Sequence, residues 1–293
     1  MKSLILVLRP HHWLKNSLVL VPLVTSFSVF DPNRLWLSTW ALISLSLIAS
    51  GTYIVNDLID LPHDRAHPAK RHRPLASGAV SIPTAIGLAL ALVTSGLVVA
   101  LTWIGVDFGG ILLAYLSITL LYSRFLKSRA LLDVLALVVL WNIRIYAGAV
   151  AIGVDLSVWL LSFGAFLFLS LSLLKRATEL RAAVGPAHEP IAGRGYAPQD
   201  LAMVAQMGVA AAMAALVVLA LFVDSSSAQW RYAHPERLWF VCPAIWYWLS
   251  RLWLKMHRGQ MHHDPVVFSV KDGASWVALG GVVGAVIWAH VGN

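Results

Sequence analysis

The most informative stretch of the sequence follows a long apolar run and reads Asn56-Asp57-Leu58-Ile59-Asp60-Leu61-Pro62-His63-Asp64-Arg65-Ala66-His67-Pro68-Ala69-Lys70-Arg71-His72-Arg73-Pro74. Asp57, Asp60 and Asp64 are spaced at i, i+3 and i+7, so they share one face wherever this stretch is helical. Pro62 predicts that the helix ends or bends within the stretch. We therefore expect three carboxylates to lie together at the end of a membrane span.

The acidic and basic residues of this stretch predict a site for a metal-bound diphosphate. Neighbouring carboxylates repel one another near an apolar region, and a divalent cation offsets that repulsion. Oxygen ligands favour Mg²⁺, which usually keeps several waters and bridges to substrate phosphates. The candidate metal ligands are Asn56, Asp57, Asp60 and Asp64. Basic side chains suited to phosphate oxygens follow at Lys70, Arg71 and Arg73.

The composition of the whole chain excludes several classes of protein. The 293 residues are 59% hydrophobic and 12% charged, against roughly 45–50% and 25% in soluble domains. This excess of apolar residues excludes a disordered chain and predicts a lipid environment. One cysteine, Cys242, excludes a disulfide scaffold. The formal net charge is +8, but the basic residues fall between apolar runs, so no nucleic-acid partner is expected.

The apolar runs on both sides of the acidic stretch predict transmembrane helices, since about 20 apolar residues cross the hydrocarbon core. Continuous runs without alternation favour helices over a barrel. Nine spans are expected, approximately at 16–30, 35–56, 82–104, 108–123, 131–152, 156–174, 201–223, 238–254 and 274–291.

The distribution of basic residues predicts the orientation of these spans. With the N-terminus in the cytoplasm, 18 of the 22 Lys and Arg residues lie inside or at span ends that border the inside. Only Arg34, Arg231 and Arg237 fall outside, and Arg144 lies within a span. Such a bias follows the positive-inside rule. The sequence thus predicts an all-α polytopic protein of the plasma membrane. We expect one integral membrane domain over residues 1–293, with its C-terminus outside.

Residues 56–64 match the signature Asn-Asp-x-x-Asp-x-x-x-Asp at each fixed position, and on this motif the chain resembles the UbiA superfamily of intramembrane prenyltransferases. The resemblance covers essentially the whole chain. It implies a bundle of nine transmembrane helices, open laterally to membrane lipids, with the active site on the cytoplasmic side. It also implies Mg²⁺ as cofactor and Asp57, Asp60 and Asp64 as catalytic residues, and it is compatible with a homo-oligomer, a trimer.

Four segments resemble the decaprenyl-phosphate phosphoribosyltransferase branch of that superfamily, namely 9–16, 64–74, 132–148 and 175–180. That branch transfers 5-phosphoribosyl from phosphoribosyl diphosphate to a polyprenyl phosphate and releases diphosphate. The lipid-linked product is a precursor for the synthesis of cell-envelope polysaccharides. Members that prenylate aromatic acceptors usually carry a second aspartate-rich motif after the sixth span. Here residues 173–181 keep one acid, Glu179, among three basic residues.

Two alternatives stay open beside phosphoribosyl transfer. Prenyl transfer from a prenyl diphosphate to an aromatic acceptor would use the same aspartates. A transporter is the remote alternative, and the small number of ionisable residues within spans, chiefly Asp133 and Arg144, argues against it.

The candidate substrate contacts are mostly basic, because both substrates of the phosphoribosyltransferase branch are anionic. They are Lys15, Asn56, Lys70, Arg71, Arg73, Tyr122, Lys127, Arg144, Lys175, Arg176 and Glu179. Arg144 is a functional candidate because a charge within a span is costly. Its structural alternative is a pair with Asp133 or with a backbone carbonyl at the end of a span.

Overall fold

The computed structural model describes residues 2–66, 70–183, 195–261 and 264–291. Residues 67–69 of the acidic and basic stretch lie outside these ranges, as does Arg194, one of the basic residues expected inside. Within the described ranges all regular structure is helical, which confirms the all-α prediction. The helices divide between two compact units, each of which is described by itself.

The first unit contains Met1–Lys127 and Val139–Leu156. A 3₁₀ helix, Pro10–Leu20, precedes its second α-helix, and the third α-helix packs against the fifth and the sixth. The helices of this unit are α1 (Lys2–Leu8), α2 (Val21–Thr25), α3 (Pro32–Ile59), α4 (Leu61–Ala66), α5 (Ile82–Val99), α6 (Val106–Arg124) and the second part of α7 (Leu132–Ala151).

The ends of α3 are set by local sequence. Asp31 caps its first turn by accepting hydrogen bonds from the backbone N–H groups of Asn33 and Arg34. The helix ends at Ile59, and α4 begins two residues later with Pro62 in its first turn. The predicted break near Pro62 is therefore confirmed. It leaves Asp57 in the last turn of α3 and Asp64 on α4.

The second unit contains Ser128–Val138 and Ser157–Asn293. Within it the eighth α-helix packs along the ninth, and the eleventh packs along the thirteenth. Its helices are the first part of α7, then α8 (Val158–Ala183), α9 (Leu201–Val223), α10 (Ser226–Arg231), α11 (Val241–His257), α12 (Pro265–Lys271) and α13 (Gly273–His290).

Seven helices of the described residues are long and apolar enough to cross a membrane, which supports a multi-pass membrane protein. They are Pro32–Ile59, Ile82–Ile104, Val106–Arg124, Leu132–Ala151, Val158–Ala182, Pro198–Val223 and Gly273–His290. The two remaining predicted spans, 16–30 and 238–254, fall on shorter elements. The first meets a 3₁₀ helix and the five-residue α2, and the second meets α11, which has 17 residues.

A candidate active site of paired carboxylates and cations

Two of the three aspartates converge on one arginine in the first unit. The side chains of Asp57 and Asp64 are buried, and both face the guanidinium of Arg73. Nη1 of Arg73 lies 2.6 Å from Oδ2 of Asp64 and 3.3 Å from Oδ1 of Asp57. A single nitrogen therefore bridges carboxylates that belong to two different helices.

Arg9 is the second cation at Asp57, and the sequence interpretation did not select it as a site residue. Its Nη2 lies 2.5 Å from Oδ1 of Asp57. Arg9 adopts left-handed backbone angles, with φ 50° and ψ 56°, at the start of the 3₁₀ helix. The segment is tied to α3 by a hydrogen bond from Trp13 Nε1 to Ser50 Oγ (2.9 Å), and Ser50 in turn donates to the carbonyl of Leu8 (3.0 Å).

The third aspartate, Asp60, has a separate partner. Lys127 forms an ion pair and hydrogen bond with its Oδ1. Its Oδ2 accepts a hydrogen bond from Nδ2 of Asn56 at 3.1 Å. The structure thus brings Asn56, Asp60 and Lys127 together, although Lys127 is 67 residues from Asp60 in sequence.

The first unit therefore holds three carboxylates that are each paired with at least one cation. Asp57 and Asp64 share Arg73, Asp57 also binds Arg9, and Asp60 pairs separately with Lys127. We call this group of Arg9, Asp57, Asp60, Asp64, Arg73 and Lys127 the charge cluster. In the described part of the chain, no three acidic, histidine or cysteine side chains are close enough to form a metal site. The carboxylates nevertheless fit Mg²⁺ in donor chemistry, because hard oxygen ligands are what this ion prefers. Two of them already meet at one positive group, Arg73.

Three other predicted contacts of the first unit lie outside the charge cluster. Lys70 and Arg71 are exposed on the short 3₁₀ helix Lys70–His72, and Arg71 contacts His72. Tyr122 is partly buried and packs against the core of the unit. Their roles as substrate contacts stay predictions.

Arg144 connects three elements of the first unit. Its guanidinium donates to Oδ1 of Asn16 at 3.2 Å, to the hydroxyl of Tyr115 at 2.9 Å and to the backbone carbonyl of Leu140. The side chain is buried, and all three of these partners are neutral. The described contacts match neither structural alternative stated above, because Asp133 is not among these partners and Leu140 lies within α7 and not at its end. The predicted contact Lys15 lies nearby, with its Nζ 5.4 Å from the centre of the Trp141 ring.

The second unit contains a buried ion-pair network that includes two predicted contacts. Arg176 is 1% exposed, its Nη2 lies 2.7 Å from Oδ2 of Asp133, and its Nη1 binds Glu179. Tyr196 donates to Oδ1 of Asp133 and accepts from the backbone N–H of Leu131, both at 2.8 Å. Burial raises the pKa of Tyr196 to about 12, so its hydroxyl stays protonated and can donate.

Lys175, the remaining predicted contact, lies near the start of α12. Its Nζ is 3.6 Å from Oδ2 of Asp264, whose Oδ1 caps that helix by accepting from the backbone N–H of Val266. The Lys175 side chain is more exposed than that of Arg176. Its ammonium group therefore remains accessible to an anionic ligand.

The sequence profile of the UbiA prenyltransferase family matches residues 18–268. The chain belongs to this family. Its helical bundle resembles a solved UbiA homologue from Archaeoglobus fulgidus, described as bound to GPP and Mg²⁺. The TM-score is 0.71, the identity is 14%, and the match covers 97% of this chain and 99% of that one. This likeness confirms the UbiA-like bundle.

Three curated relatives are more similar in sequence to this UbiA-family chain than the solved homologue is. An uncharacterized protein of Sinorhizobium fredii, y4nM, is 38% identical over 92% of this chain, which spans 52% of that protein's length. The nodulation protein NoeC of Azorhizobium caulinodans is 37% identical over 94% of this chain and 89% of its own. A decaprenyl-phosphate phosphoribosyltransferase of Mycolicibacterium smegmatis is 36% identical over 62% of this chain and 58% of its own.

Proposed function

We propose that this UbiA-family protein transfers 5-phosphoribosyl from phosphoribosyl diphosphate to a polyprenyl phosphate and releases diphosphate. The observation that carries the proposal is the charge cluster, in which three carboxylates, each paired with at least one cation, lie at and just beyond the end of a membrane-spanning helix. The similarity to the Mycolicibacterium smegmatis phosphoribosyltransferase supports the choice of substrate. We further propose that the cluster faces the cytoplasm, where the sequence places most basic residues.

In this proposal the aspartates and the cations have separate tasks. Asp57, Asp60 and Asp64, with Asn56, would hold Mg²⁺, which when bound neutralises negative charge on the leaving diphosphate. Arg9, Arg73 and Lys127 would bind diphosphate oxygens, because guanidinium and ammonium groups make strong charge-assisted hydrogen bonds to phosphate. Their contacts with the aspartates already hold them beside the carboxylates.

The acceptor needs little help from a general base. A phosphate monoester already carries about −1.5 to −2 charge near neutral pH, so the lipid phosphate oxygen is a ready nucleophile. It would attack the ribose C1 as the C1–diphosphate bond breaks, from the face opposite the leaving group. The positive charge that develops on the ribose resembles that of other glycosyl transfers, and the configuration at C1 is expected to invert.

The predicted contacts of the second unit receive different roles. Lys175 is exposed enough to contact a substrate phosphate, and we retain it for that role. Arg176 is buried and engaged by Asp133 and Glu179. We therefore assign Arg176 and Glu179 to the stability of the unit, since removing one partner of a buried ion pair is strongly destabilising.

A comparison of donors tests the proposed function. Purified protein in lipid nanodiscs would receive Mg²⁺ and a polyprenyl phosphate with phosphoribosyl diphosphate. A parallel reaction would contain a prenyl diphosphate and 4-hydroxybenzoate. The proposal predicts a lipid-linked phosphoribose by mass spectrometry in the first reaction and no product in the second. A prenylated phenol as the only product would replace phosphoribosyl transfer with prenyl transfer.

A further inference from the structure

The charge cluster is electrically balanced by the protein itself. Arg9 and Arg73 face Asp57, Arg73 also faces Asp64, and Lys127 faces Asp60. Each of the three carboxylates is thus paired with a cation of the protein without a ligand. A metal ion that arrived alone would add two positive charges to this balanced group. It would also have to displace the cations from the carboxylate oxygens.

A metal ion and the cations of the cluster would compete for the carboxylate oxygens, and the contacts of Arg73 show where this competition is strongest. One nitrogen, Nη1, lies within 3.3 Å of carboxylate oxygens from both Asp57 and Asp64. Both carboxylates are among those that would hold the metal ion in the proposed function. The guanidinium therefore stabilises the two buried carboxylates and competes for their lone pairs.

The three cations have room to change partners. Their side chains are 18% (Arg9), 29% (Arg73) and 20% (Lys127) exposed. By contrast, the side chain of Arg176 in the second unit is 1% exposed. A partly exposed cation can move from a carboxylate to a nearby phosphate oxygen without losing all of its hydration.

We propose that Arg9, Arg73 and Lys127 are exchangeable counter-ions. They neutralise the aspartates when no ligand is bound, and they move to the diphosphate oxygens when Mg²⁺ takes the carboxylates. This inference rests on the proposed function, because it assumes the same metal and diphosphate site. Its consequence is positive coupling between the two ligands. The diphosphate supplies anionic partners for the released cations, and coupling between two binding sites is reciprocal.

The substitution Arg73→Gln tests the exchange, because its effects on the two ligands have opposite signs. Binding of Mn²⁺ alone, measured by electron paramagnetic resonance, should tighten about tenfold because a competing cation is gone. Binding of inorganic diphosphate in the presence of Mg²⁺, measured by calorimetry, should weaken about tenfold because a phosphate contact is gone. Arg65→Gln is the matched control. Arg65 is exposed on α4, next to Asp64, and neither affinity should change.

A second variant keeps the test independent of folding. Arg73→Lys retains the charge but places it on a compact, more strongly hydrated ammonium group with fewer donors, so both affinities should shift in the same directions by smaller factors. Unchanged or weaker Mn²⁺ binding in folded Arg73→Gln protein would overturn the exchange. Because neither ligand contains ribose or lipid, this result is separate from the donor comparison. If the protein did not transfer phosphoribosyl, opposite shifts of the two affinities in Arg73→Gln would still support the exchange.

Discussion

Asp57 and Asp60 differ in burial and in partners, yet the proposed function needs both carboxylates. Asp57 is 4% exposed and meets two arginines, whereas Asp60 is partly exposed and meets Lys127. Asp57→Asn or Asp60→Asn should reduce turnover by at least about a hundredfold, because each would remove one anionic ligand from the proposed metal site. Transfer to the lipid phosphate is the measurement, with membrane insertion checked by size-exclusion chromatography.

The control for these variants is Asp107→Asn, an exposed aspartate in the first turn of α6. Its turnover should equal that of the unmodified protein. If Asp57→Asn or Asp60→Asn kept near-normal activity in folded protein, the metal assignment would be wrong.

Tyr196 gives a prediction with a defined dependence on pH. Tyr196→Phe should lower the free energy of unfolding by about 1–3 kcal/mol, because Asp133 and the Leu131 N–H each lose a buried partner. Burial raises the pKa of Tyr196 from 10 to about 12 in the folded state. The hydroxyl's contribution is therefore complete below pH 10 and declines as the pH rises from 10 towards 12.

Thermal unfolding of the two proteins in detergent at pH 7 to 11 measures this effect. The difference in unfolding midpoint between the unmodified protein and Tyr196→Phe should be constant up to about pH 9 and narrow above pH 10. Tyr247→Phe, on the exposed face of α11, is the control and should leave the midpoint unchanged. If Tyr196→Phe and the unmodified protein unfolded at the same midpoint at pH 7, the buried network would not stabilise the second unit.

At the scale of helices, Gly148 allows α7 to approach the 3₁₀ helix Pro10–Leu20. A Cβ at position 148 would lie 2.0 Å from the carbonyl oxygen of Val19, so any side chain must separate the two elements. Arg144 lies one helical turn before Gly148 and binds Asn16 on the same 3₁₀ helix. Gly148→Ala should thus lower the free energy of unfolding by about 1–3 kcal/mol and weaken the contact that orders the segment carrying Arg9.

Gly110→Ala provides a matched comparison within the same unit. Gly110 lies in α6 with nothing within 4 Å of an added Cβ, so alanine should be neutral or slightly stabilising. Thermal unfolding compares both variants. A midpoint for Gly148→Ala at or above that of Gly110→Ala would contradict the close approach.

Helices and the acidic motif were accessible from sequence because both are local patterns. Seven of the nine spans predicted from long apolar runs coincide with helices of membrane-spanning length, and Pro62 predicted the break between α3 and α4. The spans 16–30 and 238–254 were less well predicted. Hydropathy does not show that Pro10–Leu20 forms a 3₁₀ helix or that α11 has only 17 residues.

The partners of the aspartates were only partly accessible, because they depend on contacts distant in sequence. Arg73 follows the motif closely and was selected. Arg9 lies 48 residues before Asp57 and was missed, although the segment 9–16 had been noted for its resemblance to the phosphoribosyltransferase branch. Arg176 was selected for its charge, but its burial against Asp133 depends on how α7 and α8 pack in the second unit.

For the whole molecule, family membership leaves the transferred group open, since the proposed diphosphate site would suit a prenyl donor and a phosphoribosyl donor alike. A doubly labelled donor resolves this directly. Phosphoribosyl diphosphate would carry ¹⁴C in the ribose and ³²P in the 5-phosphate, and it would be incubated with Mg²⁺, polyprenyl phosphate and the protein or its Asp57→Asn variant. Phosphoribosyl transfer predicts that both labels enter the lipid fraction in equal amounts, with unlabelled diphosphate released, and that the variant transfers neither. Absence of both labels from the lipid, while the protein remains folded, would contradict phosphoribosyl transfer.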